Sequence, residues 1–138
     1  MIAEQLRVQI NSADATIALG DNDTVIITSP SGKANHWIEV WERDPGDLEV
    51  AFIVPGKRRG RFEQLLIGSA TEEDAVAREA VRLVCNLVEE HTVLAWDRRL
   101  LRGGRQFIDA DKLSSRVRQN LSWVVSWRGT YSSDAPAV

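Results

Sequence analysis

The stretch HWIEVWERDPGDLEVAFIV (residues 36–54) decides the fold class, because it predicts two antiparallel strands joined by a tight turn. In its first half the side chains alternate. Ile38 and Val40 point to one side of the strand, and Trp37 and Trp41 point to the other. The motif DPGD that follows is a turn signal, since proline presets φ and glycine tolerates a positive φ. The segment LEVAFIV then returns as the second strand of the hairpin.

Further strands are predicted on both sides of this hairpin. On the N-terminal side, ATIALG and TVIITS flank the turn motif GDND. On the C-terminal side, FEQLLIGS follows the loop PGKRRGR. Residues 2–12 fit a short helix and a strand equally well. The first half of the chain is therefore predicted to consist mostly of strands.

Two helices are predicted after these strands. The first spans about residues 71–90, with acidic residues at its positive N-terminal end and an apolar stripe at helical spacing. The second spans about residues 110–128 and ends before Gly129, a C-terminal cap. Its apolar stripe consists of Leu113, Val117, Leu121 and Val124. Strands followed by helices favour an α+β fold, in which a mostly antiparallel sheet carries both helices on one face.

The order of these elements is similar to that of small secretion-chaperone-like domains. Strands, a long helix, a hairpin and a second helix follow one another, and a helical N-terminus would strengthen the likeness. The resemblance is one of architecture, and no residue motif carries it. A shared architecture does not assign a function.

Length and composition are those of one globular domain. The chain has 138 residues, of which 43% are hydrophobic and 27% are charged. We expect a single domain over residues 1–131 and a flexible tail at residues 132–138. The sequence contains no apolar run that could span a bilayer and no secretory signal pattern at its N-terminus. Its one cysteine, Cys85, cannot form an intrachain disulfide, so we expect a cytoplasmic protein that does not bind membranes.

The segment RRLLRGGRQF (residues 98–107) places four arginines around two adjacent glycines. Gly103 and Gly104 form a preferred two-residue hairpin turn, which predicts that Leu100 faces Phe107 across the two strands. A phosphate-binding loop would lead into a helix, whereas this segment leads into a strand. The segment is therefore predicted to be a hairpin with solvated arginines at its tip.

Catalytic and metal-binding motifs are missing from the sequence. His36 and His91 belong to no metal-ligand spacing. Cys85 lies on the apolar stripe of the first predicted helix, where a thiol without a cationic neighbour is inert. The motif GDND lacks the glycine and the glutamate that an EF-hand requires. We therefore expect a protein that is not an enzyme and that holds no metal ion and no cofactor.

Tryptophan is the most informative residue type, with five in 138 residues. If the helices cover the face of Ile38 and Val40, Trp37 and Trp41 lie on an open sheet face, which is unusual unless a partner covers it. Tryptophan and arginine are enriched at interface hot spots. We therefore predict a non-enzymatic protein-interaction module, an adaptor, chaperone-like or immunity-like protein, that binds a protein partner or a second copy of itself. The predicted surface comprises Trp37, Trp41, Arg58, Arg59, Arg61, Arg98, Arg102 and Arg105.

The distribution of charge and the clustering of arginine support different binding hypotheses. The net charge is −3, but residues 1–54 carry three basic and nine acidic side chains, and residues 55–138 carry fourteen basic and eleven acidic ones. The opposite charges of the two halves suit self-association. The arginine clusters at residues 57–61 and 98–105 favour an arginine-rich module that binds nucleic acid or a phosphorylated ligand, although the net charge is negative and no nucleic-acid-binding fold motif is present. A third hypothesis is a small apolar ligand held between sheet and helices. The sequence identifies neither the partner nor the oligomeric state, nor whether the two arginine clusters form one surface.

Overall fold

A computed structural model shows two compact units, residues 1–85 and residues 86–138. It describes residues 2–30, 35–56, 60–66, 73–97 and 104–134. Antiparallel sheets dominate both units, which confirms the predicted α+β class. The single domain over residues 1–131 stays a prediction. In the described part of the chain, no helix is both long and apolar enough to cross a membrane.

The first unit is built on a five-stranded antiparallel sheet whose strands follow one another in chain order. The strands are β1 Thr16–Leu19, β2 Val25–Thr28, β3 Trp37–Asp44, β4 Asp47–Ile53 and β5 Arg61–Leu66. Helix α1, Ile2–Gln9, precedes the sheet, so the N-terminal residues are helical. Helix α2, Glu73–Val88, follows the sheet and confirms the first predicted helix.

One face of this sheet forms the core of the first unit. Ile38 and Val40 on β3 are buried, as their alternation with the tryptophans predicts. Their cross-strand neighbours Ile27, Val50 and Phe52 are also buried. Burying one large apolar side chain stabilises the fold by about 1.5–3 kcal/mol. The register is therefore strongly specified, because a slip of one residue would move this whole set to the other face.

The two predicted tight turns of the first unit are confirmed. In the β3–β4 hairpin Asp44 pairs with Asp47, and Gly46 between them has a φ of +87°. In the β1–β2 connection a short 3-10 turn contains Asn22 and Asp23, whose φ angles are +56° and +59°. Asparagine and aspartate tolerate this left-handed conformation better than other non-glycine residues do.

The second unit contains a sheet in the strand order β7-β6-β8-β9. The strands are β6 Thr92–Asp97, β7 Arg105–Asp109, β8 Leu121–Val125 and β9 Ser133–Asp134. A buried cluster in this unit comprises Val93, Ala95, Leu121 and Val124, with Leu113 and Val117 packed against it. The predicted tail thus includes a short strand paired with β8, and residues 135–138 lie outside the described part.

The structure corrects the second predicted helix. In place of a helix over residues 110–128, the chain has a 3-10 turn at Ala110–Lys112, a one-turn helix α3 at Ser115–Arg118, and then strand β8. The predicted apolar stripe is nevertheless packed together, so its spacing identified core residues but assigned the wrong secondary structure. The segment WVV on β8 favours a strand, and β8 pairs with β6 on one side and β9 on the other.

The hairpin predicted around the two glycines exists in a different register. Phe107 faces Leu94 rather than Leu100, and the backbone N–H of Asp97 donates to the carbonyl of Gly104 at 2.9 Å. The six residues before Gly104 lie outside the described part. Burial explains the correction, because the run VLA on β6 is fully buried, whereas an arginine-rich strand would bury charge at a high cost.

Candidate partner-binding face of the first sheet

The sheet face opposite the core of the first unit carries both predicted tryptophans. Trp37, Glu39 and Trp41 alternate with the buried residues of β3, and each is half-buried. Their neighbours on this face are Ile26 and Thr28 on β2, Glu49, Ala51 and Ile53 on β4, and Arg61, Glu63 and Leu65 on β5. We call this set the tryptophan face. The prediction that Trp37 and Trp41 share the face opposite Ile38 and Val40 is confirmed.

Exposure on the tryptophan face increases toward β5, an edge strand of the sheet. On β4, Ala51 and Ile53 are buried, whereas Arg61, Glu63 and Leu65 on β5 are exposed. Leu65 is 42% exposed and is one of the few exposed large apolar side chains in the described part. The face therefore combines a packed centre with an accessible edge.

Arg61 joins the aromatic and ionic parts of this face. Its guanidinium carbon lies 5.6 Å from the ring centroid of Trp41, within the range of a cation–π contact. Its Nη1 atom lies 3.7 Å from Oε2 of Glu39, and its Nε atom donates to Oε1 of Glu63. Exposed ion pairs of this kind contribute at most about 1 kcal/mol to stability. We conclude that these pairs mainly orient the guanidinium over the indole.

Glu49 is buried on the same face, with 5% of its surface exposed. Nη1 of Arg43 donates to both of its carboxylate oxygens, at 3.2 and 3.3 Å. Burial is the largest effect on this carboxyl, and together with the hydrogen bond and the charge of Glu63 it raises the pKa of Glu49 against the opposing effect of Arg43. The hydrogen bond from Arg61 is the main reason that the pKa of Glu63 is lowered.

The two carboxyls thus form a pair whose pKa values move apart, a pattern found among catalytic acids and bases. Here, however, Arg43 bonds to Glu49 and Arg61 bonds to Glu63. Because an arginine is bound to each carboxyl, we interpret the pair as part of a surface charge network and not as a proton-transfer site. The face therefore presents charges of both signs around Trp41.

The predicted site residues are only partly covered by the described residues. The structure brings Trp41 and Arg61 together. Four of the predicted arginines lie outside the described part, namely Arg58, Arg59, Arg98 and Arg102. Arg105 faces Trp96 on the second sheet, and its side chain is not described. A common surface formed by the two arginine clusters therefore stays a prediction.

Sequence reasoning missed four charged members of this face or its margin: Glu39, Arg43, Glu49 and Glu63. One signal was available, because Glu49 is the single charged residue in the apolar part of the strand LEVAFIV. The contact between Glu49 and Glu63 could not be predicted from the sequence, because it depends on the β4–β5 register, in which Glu63 pairs with Ala51.

Another buried carboxylate, Glu90, anchors a loop of the second unit. It accepts hydrogen bonds from the backbone N–H groups of Arg128 and Thr130 at 3.1 and 3.2 Å, and from Oγ1 of Thr130 at 2.6 Å. Burial raises the pKa of Glu90, but hydrogen bonds from Ser126, Thr130 and the backbone outweigh burial and lower it. Because these contacts are internal, we assign Glu90 a structural role.

The structure also shows the surroundings of His36 and Cys85, two residues considered for metal or thiol chemistry. Within the described ranges, no group of three or more histidine, cysteine, aspartate or glutamate side chains is placed to hold a metal ion. Cys85 is half-buried, with its Sγ atom 3.9 Å from Oε1 of Gln9. The ring of His36 packs 5.3 Å from that of Phe52. No protein-family model matches this sequence, and no curated protein or solved structure is significantly similar to it.

Proposed function

We propose that this protein is a non-enzymatic protein-interaction module, a small cytoplasmic adaptor, chaperone-like or immunity-like protein. It binds a protein partner or a second copy of itself through the tryptophan face. The observation that carries the proposal is the contact between half-buried Trp41 on the central strand β3 and exposed Arg61 on the edge strand β5. Tryptophan and arginine are the residue types most enriched among interface hot spots.

The contacts of this face suggest how binding would work. Trp37 and Trp41 are half-buried, so each still has apolar surface that a partner can remove from water. Arg43 and Arg61 alternate with acidic side chains around them, and such mixed charges orient a partner and reject mismatched ones. The aromatic side chains would therefore supply most of the affinity, and the ion pairs would supply the orientation.

The arginine-rich alternative predicts a phosphate-binding surface. In the described part of the chain, Arg61 and Arg43 both face carboxylates, at Glu39, Glu49 and Glu63. A phosphate group would have to compete with these carboxylates for the same guanidinium groups. This arrangement favours protein binding over nucleic-acid binding.

An affinity pull-down from the native host's lysate tests the proposal. The wild type is compared with a Trp37→Ala/Trp41→Ala double variant and with Val8→Ala, a control that shortens an 86% exposed side chain on α1. We expect a discrete protein, or the chain itself, to be captured by the wild type and the control. Capture by the double variant should fall at least about tenfold, since hot-spot tryptophans contribute 2 kcal/mol or more each.

Nuclease treatment separates the two function classes in the same experiment. The protein-interaction proposal predicts that capture survives nuclease and moderate salt. If the captured material is nucleic acid that nuclease removes, the arginine-rich alternative is correct. Equal capture by the wild type and the double variant would show that the tryptophan face is not the binding surface.

A further inference from the structure

A cavity lies at one end of the first sheet, where β3 extends beyond β2. The last residue pair between these strands is Val25 with Val40, so Trp41 and Glu42 continue past the end of β2. The cavity has a volume of about 470 Å³, within the range of pockets that hold ligands. Val25, Val40 and Leu48 line it with apolar surface.

A neighbouring cavity of about 340 Å³ continues this one toward helix α2. The two share Ile2, Glu42 and Leu48 as lining residues, and the second adds Val76 and Ala77. Together they make a groove from the β1–β2 turn to α2 within the first unit. We call it the acidic groove. Its lining residues extend from Asp23 in the β1–β2 turn to Val76 and Ala77 on α2.

The groove exposes apolar surface to solvent. Leu19, which lines the first cavity, is 50% exposed at the end of β1. Ile2 and Leu48, which line both cavities, are half-buried. Such residues leave apolar area that an aliphatic side chain of a partner can cover, at about 25 cal/mol for each Å² removed from water.

Charge decides which partner fits. The described lining residues of both cavities include the carboxylates of Asp23 and Glu42 and no basic side chain. The nearest arginine in the sequence, Arg43, is directed to the other face of the sheet, where it binds Glu49. Residues 1–54, which contribute most of this groove, carry a net charge of −6.

We propose that the acidic groove binds a segment of a partner protein in which aliphatic side chains alternate with lysine or arginine. The aliphatic side chains contact Leu19, Ile2 and Leu48, and the basic ones pair with Asp23 and Glu42. This inference goes beyond the proposed function, because it concerns a different surface that shares only Trp41 with the tryptophan face. It assigns to that surface a specific class of partner.

The test uses fluorescein-labelled peptides and fluorescence anisotropy at low salt. The probe is Lys-Leu-Lys-Leu-Lys-Leu-Lys, and its two controls replace the leucines with serine or the lysines with glutamate. We expect saturable binding of the probe and at least about tenfold weaker binding of both controls, because the groove requires apolar and basic groups together. Serine-peptide binding as tight as that of the probe would overturn the proposal.

Matched variants locate the site of probe binding. Asp23→Asn with Glu42→Gln removes both lining carboxylates, and we expect it to weaken probe binding about tenfold. Asp111→Asn with Glu89→Gln makes the same chemical change on exposed side chains of the second unit and should leave binding unchanged. Equal loss in both double variants would show that the probe responds only to overall charge, and the proposal would be wrong.

Two further comparisons separate this inference from the proposed function. Trp37→Ala should not change probe binding, because Trp37 lines neither cavity. Leu19→Ser should weaken it several-fold, whereas the matched Val8→Ser should not. Sedimentation of the unliganded protein supplies the last check. Self-association that Asp23→Asn/Glu42→Gln abolishes would identify a second copy as the occupant and overturn the proposal.

Discussion

Glu90 and Glu49 are both buried carboxyls, yet their pKa values move in opposite directions. Both lose hydration, which raises the pKa of a carboxyl. At Glu90, hydrogen bonds from backbone N–H and hydroxyl groups lower the pKa by more than burial raises it. At Glu49, the neighbouring carboxyl of Glu63 raises the pKa further. The balance between burial and the neighbouring donors and charges therefore decides which form of a buried carboxyl is favoured: burial prevails at Glu49 and the donors prevail at Glu90.

Replacing Glu90 with glutamine should destabilise the protein. The pKa of Glu90 is lowered in the folded state, so its contribution is present above the ordinary carboxyl pKa and is lost as pH falls through the folded value. We expect Glu90→Gln to cost about 1–3 kcal/mol at pH 7, since it leaves donors to a charged acceptor poorly paired. Urea unfolding at pH 7 and at acidic pH measures this, with the exposed neighbour Glu89→Gln as control. A cost that does not shrink at acidic pH would contradict the assignment.

Glu49 should show the opposite pH dependence. Its pKa is raised in the folded state, so the folded protein binds this proton more tightly than the unfolded chain does. The stability contributed by Glu49 should therefore fall as pH rises from the ordinary carboxyl value through the raised one. We expect the free energy of unfolding of Glu49→Gln, relative to the wild type, to increase over that interval. Urea unfolding across a pH series measures the difference, and a decrease would show that Arg43 dominates this carboxyl.

At the scale of elements, the β3–β4 hairpin has a tight turn at Gly46 and strands whose side chains alternate between two distinct faces. Gly46 closes the turn with a φ of +87°, and an added Cβ atom there would meet nothing within 4 Å. Any cost of a side chain at this position is therefore a backbone cost. The same hairpin places the tryptophans of β3 on one face and Ile38 and Val40 on the other.

Gly46→Ala should destabilise the protein by about 1 kcal/mol, because alanine is strained at a positive φ. Gly46→Asn should cost less, since asparagine tolerates the left-handed conformation. Gly56→Ala is the matched control, because its Cβ atom would make no contact closer than 3.9 Å and its φ is not in the left-handed region. Thermal or urea unfolding of the three variants compares them. Equal losses at positions 46 and 56 would show that the turn conformation is not the cause.

At the scale of the whole chain, two binding surfaces are proposed on the first unit, and they differ in chemistry. The tryptophan face mixes charges of both signs around an aromatic side chain. The acidic groove has carboxylates and no basic lining residue in the described part. A partner could engage one surface without the other, and the Trp37 and Glu42 variants are chosen to report on them separately.

The β3–β4 hairpin, the β1–β2 turn, the position of α2 and the α+β class were predictable because each depends on local chemistry. Alternation, turn residues and helical spacing act over a few neighbours, and Ile38, Val40 and Gly46 show each effect. The same reasoning put Trp37 and Trp41 on one face. It also grouped Leu113, Val117, Leu121 and Val124 as one buried set.

Tertiary structure decided what depends on pairing with distant strands. Strand β8 replaces a predicted helix because β6 and β9 supply partners on both sides, and such partners override local propensity. The register that sets Phe107 opposite Leu94 buries apolar residues of β6, which costs less free energy than burying charged side chains. Strand β5 pairs with β4 in one register, and this register brings Glu63 to Glu49 and Arg61 to Trp41. The spacing of residues within either strand does not predict that register.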